Sequence, residues 1–145
     1  MNFHEFSELY PTVTANLRGL TTAMKTAGLE PDLTELIKIR ASQINGCAFC
    51  IQFHLSTARK LGVAQVKLDL LAAWRDSGVF SARERAALAW AERLTALPHA
   101  PLTEADRDEA GRTFGPETFA QLCVAIGTIN AWNRIAVGLG FPPPG

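Results

Sequence analysis

The chain has 145 residues, 48% of them hydrophobic, and its fourteen basic and fourteen acidic side chains cancel. That length suits a single domain, residues 1–145, with a core of its own, and the charge balance, with a sequence pI near 6.8, leaves no electrostatic footprint for nucleic acid or an anionic membrane. The N-terminus from Met1 to Glu8 has neither a basic nor an apolar leader region, and the longest uncharged run, the 16 residues from Thr118 to Asn133, includes Gln121, Thr128 and Asn130; a soluble, cytoplasmic protein with no membrane partner is expected.

Apolar residues recur at helical intervals along almost the whole chain, with breaks at Gly and Pro and no sustained alternation, so the fold class is all-α. After a short amphipathic start from Phe3 to Leu9, Pro11 suits the first turn of a helix running to about Ala27 and ended by Gly28. Asp32 reads as the N-cap of a helix from Leu33 to about Gln43. Gly46 separates it from the next helix, Cys47 to Leu61, whose end is marked by Arg59, Lys60 and Gly62. Val66 to Arg75 reads as a further helix. Ser81 and Glu84 form a capping box for a helix reaching about Thr95. Residues 97–101 read as a loop, Thr103 opens a short helix to about Thr113, and Pro116 opens a long one to about Leu139. The closing Pro142-Pro143-Pro144-Gly145 cannot be helical.

The chemistry concentrates in Asn45-Gly46-Cys47-Ala48-Phe49-Cys50-Ile51-Gln52-Phe53-His54. At about 100° per residue, Cys50 and His54 fall within about 60° of Cys47 on one helical face. The two cysteines sit in the first turn, where free N–H groups and the helix dipole favor thiolate, and a neighboring His lowers a thiol pKa further. An odd cysteine count without a secretory leader argues against a disulfide framework. A structural zinc site wants four ligands, and the chain offers one Cys pair, His54 and the distant Cys123, which reads as a core thiol in an apolar helix. Glu35 has two readings: with Asp32 it has the spacing of a capping box, or it folds back onto the next helix to orient His54. Spacing does not choose between them. His4 and His99 read as surface residues, Asn130, Asn133 and Arg134 as positions for interhelical hydrogen bonding or subunit contact, and Trp74, Trp90 and Trp132 as core or interface anchors.

Glu35, followed by Cys47-x-x-Cys50-x-x-x-His54 with Asn-Gly before the first cysteine, resembles the core of the alkylhydroperoxidase D and carboxymuconolactone decarboxylase superfamily. The strong resemblance covers about residues 35–62, with supporting patterns in Ala87 to Glu92 and Ile129 to Arg134. It implies an all-helical homo-oligomer, a trimer or hexamer, with Cys50 attacking peroxide, Cys47 resolving the sulfenic acid, and Glu35 and His54 forming a proton relay. The implied role is that of an antioxidant peroxidase with a redox-active disulfide. One departure is Phe49, where alkylhydroperoxidase D carries a second His directly before its second cysteine.

The expected partners are a hydroperoxide substrate and a dithiol reductant such as thioredoxin or a lipoyl group. No cofactor is expected, since the sequence has neither a Gly-rich dinucleotide loop nor a Walker motif. Two rival readings remain: a lactone decarboxylase using Glu35 and His54 as acid and base, and a non-enzymatic redox-sensing oligomer.

Overall fold

A computed structural model describes residues 1–145 as seven α-helices and one 3₁₀ turn, without strands. The helices are α1 (Phe3–Leu9), α2 (Pro11–Thr26), α3 (Pro31–Ile44), α4 (Ala48–Lys60), α5 (Gln65–Leu70), α6 (Ala82–Thr95) and α7 (Glu104–Leu139), with the 3₁₀ turn Leu71–Ala73 after α5.

The organizing element is α3, which carries nine buried residues. Leu33 and Ile37 join Trp90, Leu122 and Ile126 in one apolar cluster, while Leu36 and Ile39 join Leu71, Trp74 and Leu88 in a second. Ala41 belongs to a third with Phe6, Cys47, Cys50, Ile129 and Phe141. Because all three clusters meet around α3, its side chains define the positions of α4, α6 and α7.

Three boundaries differ from the sequence reading. The helix α3 begins at Pro31, not Leu33, because proline pre-sets the backbone angle of the first helical residue. Asp32 is therefore inside the helix, accepting a hydrogen bond at 2.9 Å from the N–H of Leu33. The expected helix from Val66 to Arg75 ends its α-helical part at Leu70 and tightens to 3₁₀. Residues three apart eclipse in that geometry, which brings Leu71 and Trp74 together into the second cluster. Cys47 precedes its helix as N-cap rather than lying within it.

Elsewhere the punctuation holds. Ser81 and Glu84 cap α6 reciprocally, as Thr103 and Asp106 cap α7. The break expected between Thr113 and Pro116 occurs at Gly115, whose φ of 75° only glycine adopts without strain. By length and composition α7 could cross a membrane. Here its Leu122, Ala125, Ile126 and Ile129 are buried among the other helices.

One helix remains poorly covered. Of the sixteen residues of α2, only Thr14 is buried. Its stripe of Val13, Leu17, Leu20 and Met24 follows helical spacing, yet Val13 and Leu20 are exposed. Leu9 and Tyr10, directly before it, are exposed as well. Met24 packs against the first cluster; we propose that a second copy of the chain covers the exposed Leu9, Tyr10, Val13 and Leu20, in keeping with the expected homo-oligomer. Multi-angle light scattering at micromolar concentration is expected to return a multiple of the 15.7 kDa chain mass; a monomer would exclude the assembly.

Candidate active site

The turn between α3 and α4 sets the geometry. Gly46, at φ 66°, occupies the left-handed position after the helix end. Its N–H bonds to the Gln43 carbonyl at 3.3 Å, and the Cys47 N–H to the Ser42 carbonyl at 3.0 Å, the paired pattern that terminates a helix and reverses the chain. Asn45 then ties this turn to α7. Its side-chain amide donates to Asn130 Oδ1 at 2.9 Å and to Asn133 Oδ1 at 2.8 Å. Asn133 in turn donates to Ser42 Oγ at 3.0 Å, and Asn130 to Thr95 Oγ1 at 3.1 Å. This polar seam is the interhelical role expected for the two asparagines, and it holds the cysteine segment against a fixed frame.

Cys47 Sγ accepts the N–H of Cys50 at 3.2 Å, the place a Ser or Asp oxygen takes in an ordinary cap. The two cysteines are joined as a disulfide with Cα atoms 5.3 Å apart. One helical turn supplies that reach. Both are buried, but Cys50, and not Cys47, lines a cavity of about 330 Å³ together with Glu35 and His54.

The ambiguity over Glu35 is resolved by the tertiary contact. Glu35 Oε2 lies 2.7 Å from His54 Nδ1 across the α3–α4 interface, and both side chains are buried. Glu35 makes no capping bond, because the N-cap is Glu30, which has none from its side chain. A carboxylate on Nδ1 directs the other ring nitrogen, Nε2, away from α3 and selects its tautomer. The four expected site residues thus form one cluster on two adjacent helices.

Other expectations sort by place. Cys123 is half-buried and packs against the first cluster, whereas Cys47 and Cys50 belong to the third. Burial pushes its thiol pKa up, which disfavors the reactive thiolate. No group of three His, Cys, Asp or Glu side chains is arranged to hold a metal ion. His4 and His99 are exposed. Trp74 and Trp90 are buried, while Trp132 is partly exposed and lines the cavity.

Phe49, the departure from alkylhydroperoxidase D, is part of the cavity wall. Its ring lies 5.5 Å from Phe3, 6.0 Å from Phe53 and 5.4 Å from Phe141. The site therefore has one histidine and an aromatic rim.

Sequence reasoning missed Arg18, Thr21, Thr22 and Lys38, which also line the cavity. Lys38 carried a signal, since it stands three residues after Glu35 on the same helical face, between apolar Ile37 and Ile39. The α2 residues carried none. Nothing local distinguishes Arg18 or Thr21 from the solvated face of any helix.

The family model for the carboxymuconolactone decarboxylase family matches residues 10–93, more than half of the chain. The chain belongs to that family. Within it, this is an alkylhydroperoxidase D-like member, as the Cys-x-x-Cys pair at the start of α4 and its structural relatives agree. The uncharacterized protein YdfG of Bacillus subtilis (strain 168) is 37% identical over 116 residues, 80% of this chain and 79% of that protein. A structure from Agrobacterium tumefaciens, of unknown function and suggested to be the antioxidant-defense protein AhpD, is 34% identical with a TM-score of 0.88, covering 97% of this chain and 96% of the other. An uncharacterized peroxidase-related protein from Silicibacter sp. TM1040 is 25% identical with a TM-score of 0.74, covering 86% and 68%. These relatives give the family-level role an antioxidant or peroxidase-related character.

Proposed function

We propose that the protein is a thiol peroxidase that reduces organic hydroperoxides through Cys50 and Cys47. The single observation that carries this reading is the placement of Cys50 on a cavity beside a His54 already oriented by Glu35. A lactone decarboxylase would need the carboxylate and imidazole but would leave the adjoining cysteine pair without a task.

The structure holds the pair in its disulfide state, so a catalytic cycle begins by reduction. A dithiol gives up two electrons and two protons as its own disulfide forms, leaving both cysteines as thiols. His54 then takes the proton from Cys50, and the helix N-terminus favors the resulting thiolate. The thiolate sulfur attacks the terminal oxygen of the hydroperoxide. The S–O bond forms, the O–O bond breaks, and the departing alkoxide takes the proton held by His54. The products are an alcohol and Cys50 sulfenic acid. Cys47 attacks the sulfenic sulfur, water leaves, and the disulfide returns. Throughout, Glu35 stabilizes the imidazolium that His54 becomes.

The reading is tested by hydroperoxide consumption with dithiothreitol as reductant, using wild type and Cys50→Ser. Consumption by both at equal rates would remove it.

A related expectation concerns the pair itself. After reduction and mild peroxide, intact mass is expected to show loss of two hydrogens with Cys123 unmodified. Cys123 is kept out of the reaction by burial and by its raised pKa. Accumulation of a sulfinic acid at Cys50 with Cys47 free would contradict the pairing.

A further inference from the structure

We infer that Lys38 and Arg18 form an anion subsite in the Cys50 cavity, so that the substrate meeting Cys50 carries a carboxylate on a small aromatic or branched apolar body. This deepens the peroxidase reading by specifying the substrate class, and it rests on that reading only for the reactive group. Lys38 is 4% exposed as a residue, yet the one protein partner of its ammonium is a neutral hydroxyl, Thr21 Oγ1 at 2.8 Å. An ammonium has three donors, and side chains of this burial ordinarily face a carboxylate. The protein follows that rule elsewhere, since Arg40 pairs with Glu92 and Lys67 with Glu84. Lys38 stands in no ion pair within bonding distance, and neither does Arg18.

The other groups facing Lys38 bear this out. The one acid lining the cavity is Glu35, and its Oε2 is engaged by His54. Burial lowers the Lys38 pKa, while the Glu35 charge opposes that shift. A second anion held against Lys38 would likewise oppose that shift and complete the hydrogen bonds of its ammonium. Arg18 stands on α2 three and four residues before Thr21 and Thr22, so all three share a helical face toward the cavity. Its guanidinium lies 5.2 Å from the Phe3 ring center, which orients the fork by cation–π contact. One buried ammonium and one exposed guanidinium beside the Glu35 charge match a single negative charge better than a phosphate dianion.

The rest of the wall fixes the body of the ligand. Phe3, Phe49, Phe53 and Trp132 supply aromatic surface. The volume of about 330 Å³ is at the small end for ligand sites, which run from about 300 to 1,000 Å³. One ring and a branched substituent suit it.

The test uses 4-isopropylbenzoate and its neutral isostere 4-isopropylbenzamide as protectants of Cys50 in the reduced protein. Iodoacetamide labeling of Cys50 is followed by peptide mass spectrometry, so the readout does not require turnover. The benzoate is expected to protect at concentrations about tenfold lower than the amide, the scale of charge-assisted hydrogen bonds. In Lys38→Met that preference is expected to vanish, and in Arg18→Gln, at an exposed position, to shrink about threefold. If Lys38→Met does not fold, judged by far-UV circular dichroism, Lys38→Gln and Arg18→Gln carry the comparison. A parallel pair, 4-(2-hydroperoxypropan-2-yl)benzoate and cumene hydroperoxide, is expected to differ in kcat/KM by the same factor. Equal protection by benzoate and amide in wild type, or a preference that survives both substitutions together, would overturn the subsite. Protection by the benzoate with neither hydroperoxide consumed would uphold the subsite and remove the peroxidase reading instead.

Discussion

Cys50→Ser is expected to lower hydroperoxide consumption by more than about a thousandfold, because a serine hydroxyl at neutral pH supplies no anion to attack the O–O bond. Cys47→Ser is expected to behave differently. Without added thiol, the reduced wild type and Cys47→Ser are each expected to consume one equivalent of peroxide, since the attack itself involves only Cys50. The wild type then ends as a disulfide. The Cys47→Ser protein ends with one added oxygen, as a sulfenic acid that a dimedone-type reagent traps. This division follows from the geometry, in which Cys50 lines the cavity while Cys47 caps the helix behind it. If Cys47→Ser consumed no peroxide and Cys50→Ser retained a single turnover, the two roles would be exchanged.

The relay carries the second large effect. Glu35→Gln and His54→Ala are each expected to slow the reaction of Cys50 by about a hundredfold or more, the usual scale for a positioned proton acceptor. Gln preserves the shape of the Glu35 side chain and its hydrogen bond to His54, so a loss in Glu35→Gln isolates the charge. Iodoacetamide rate against pH reads this directly: both substitutions are expected to move the Cys50 titration upward. The double mutant is expected to add little, since Glu35 acts through His54 over a single 2.7 Å contact. Unchanged alkylation profiles in both single mutants would leave the N-terminus of α4 as the sole activating influence. Additive losses would mean that Glu35 reaches Cys50 by another route.

Much of this protein was legible from its sequence, and the legible parts share a physical cause: they depend on neighbors within about one turn. Helical class followed from periodicity, and the caps at Ser81 and Thr103 from local hydrogen-bonding residues. The placement of Cys47, Cys50 and His54 on one face required only the helical repeat. Even the turn that delivers them was written in Asn45-Gly46, whose glycine alone tolerates the left-handed position. Local rules failed where a residue had two local options or none. Glu35 fitted a capping box by spacing, and only the packing of α3 on α4 assigned its carboxylate to His54. Val66 to Arg75 had helical spacing throughout, but the need to bury both Leu71 and Trp74 tightened its end. Arg18, Thr21 and Lys38 belong to helices separated in sequence, and their convergence on one cavity is a property of how α2 lies against α3. A sequence determines its helices and their reactive faces because those arise from local backbone and side-chain geometry. Which faces meet, and so which charge lacks a counter-ion and which sulfur meets the substrate, is decided by close packing over the whole chain.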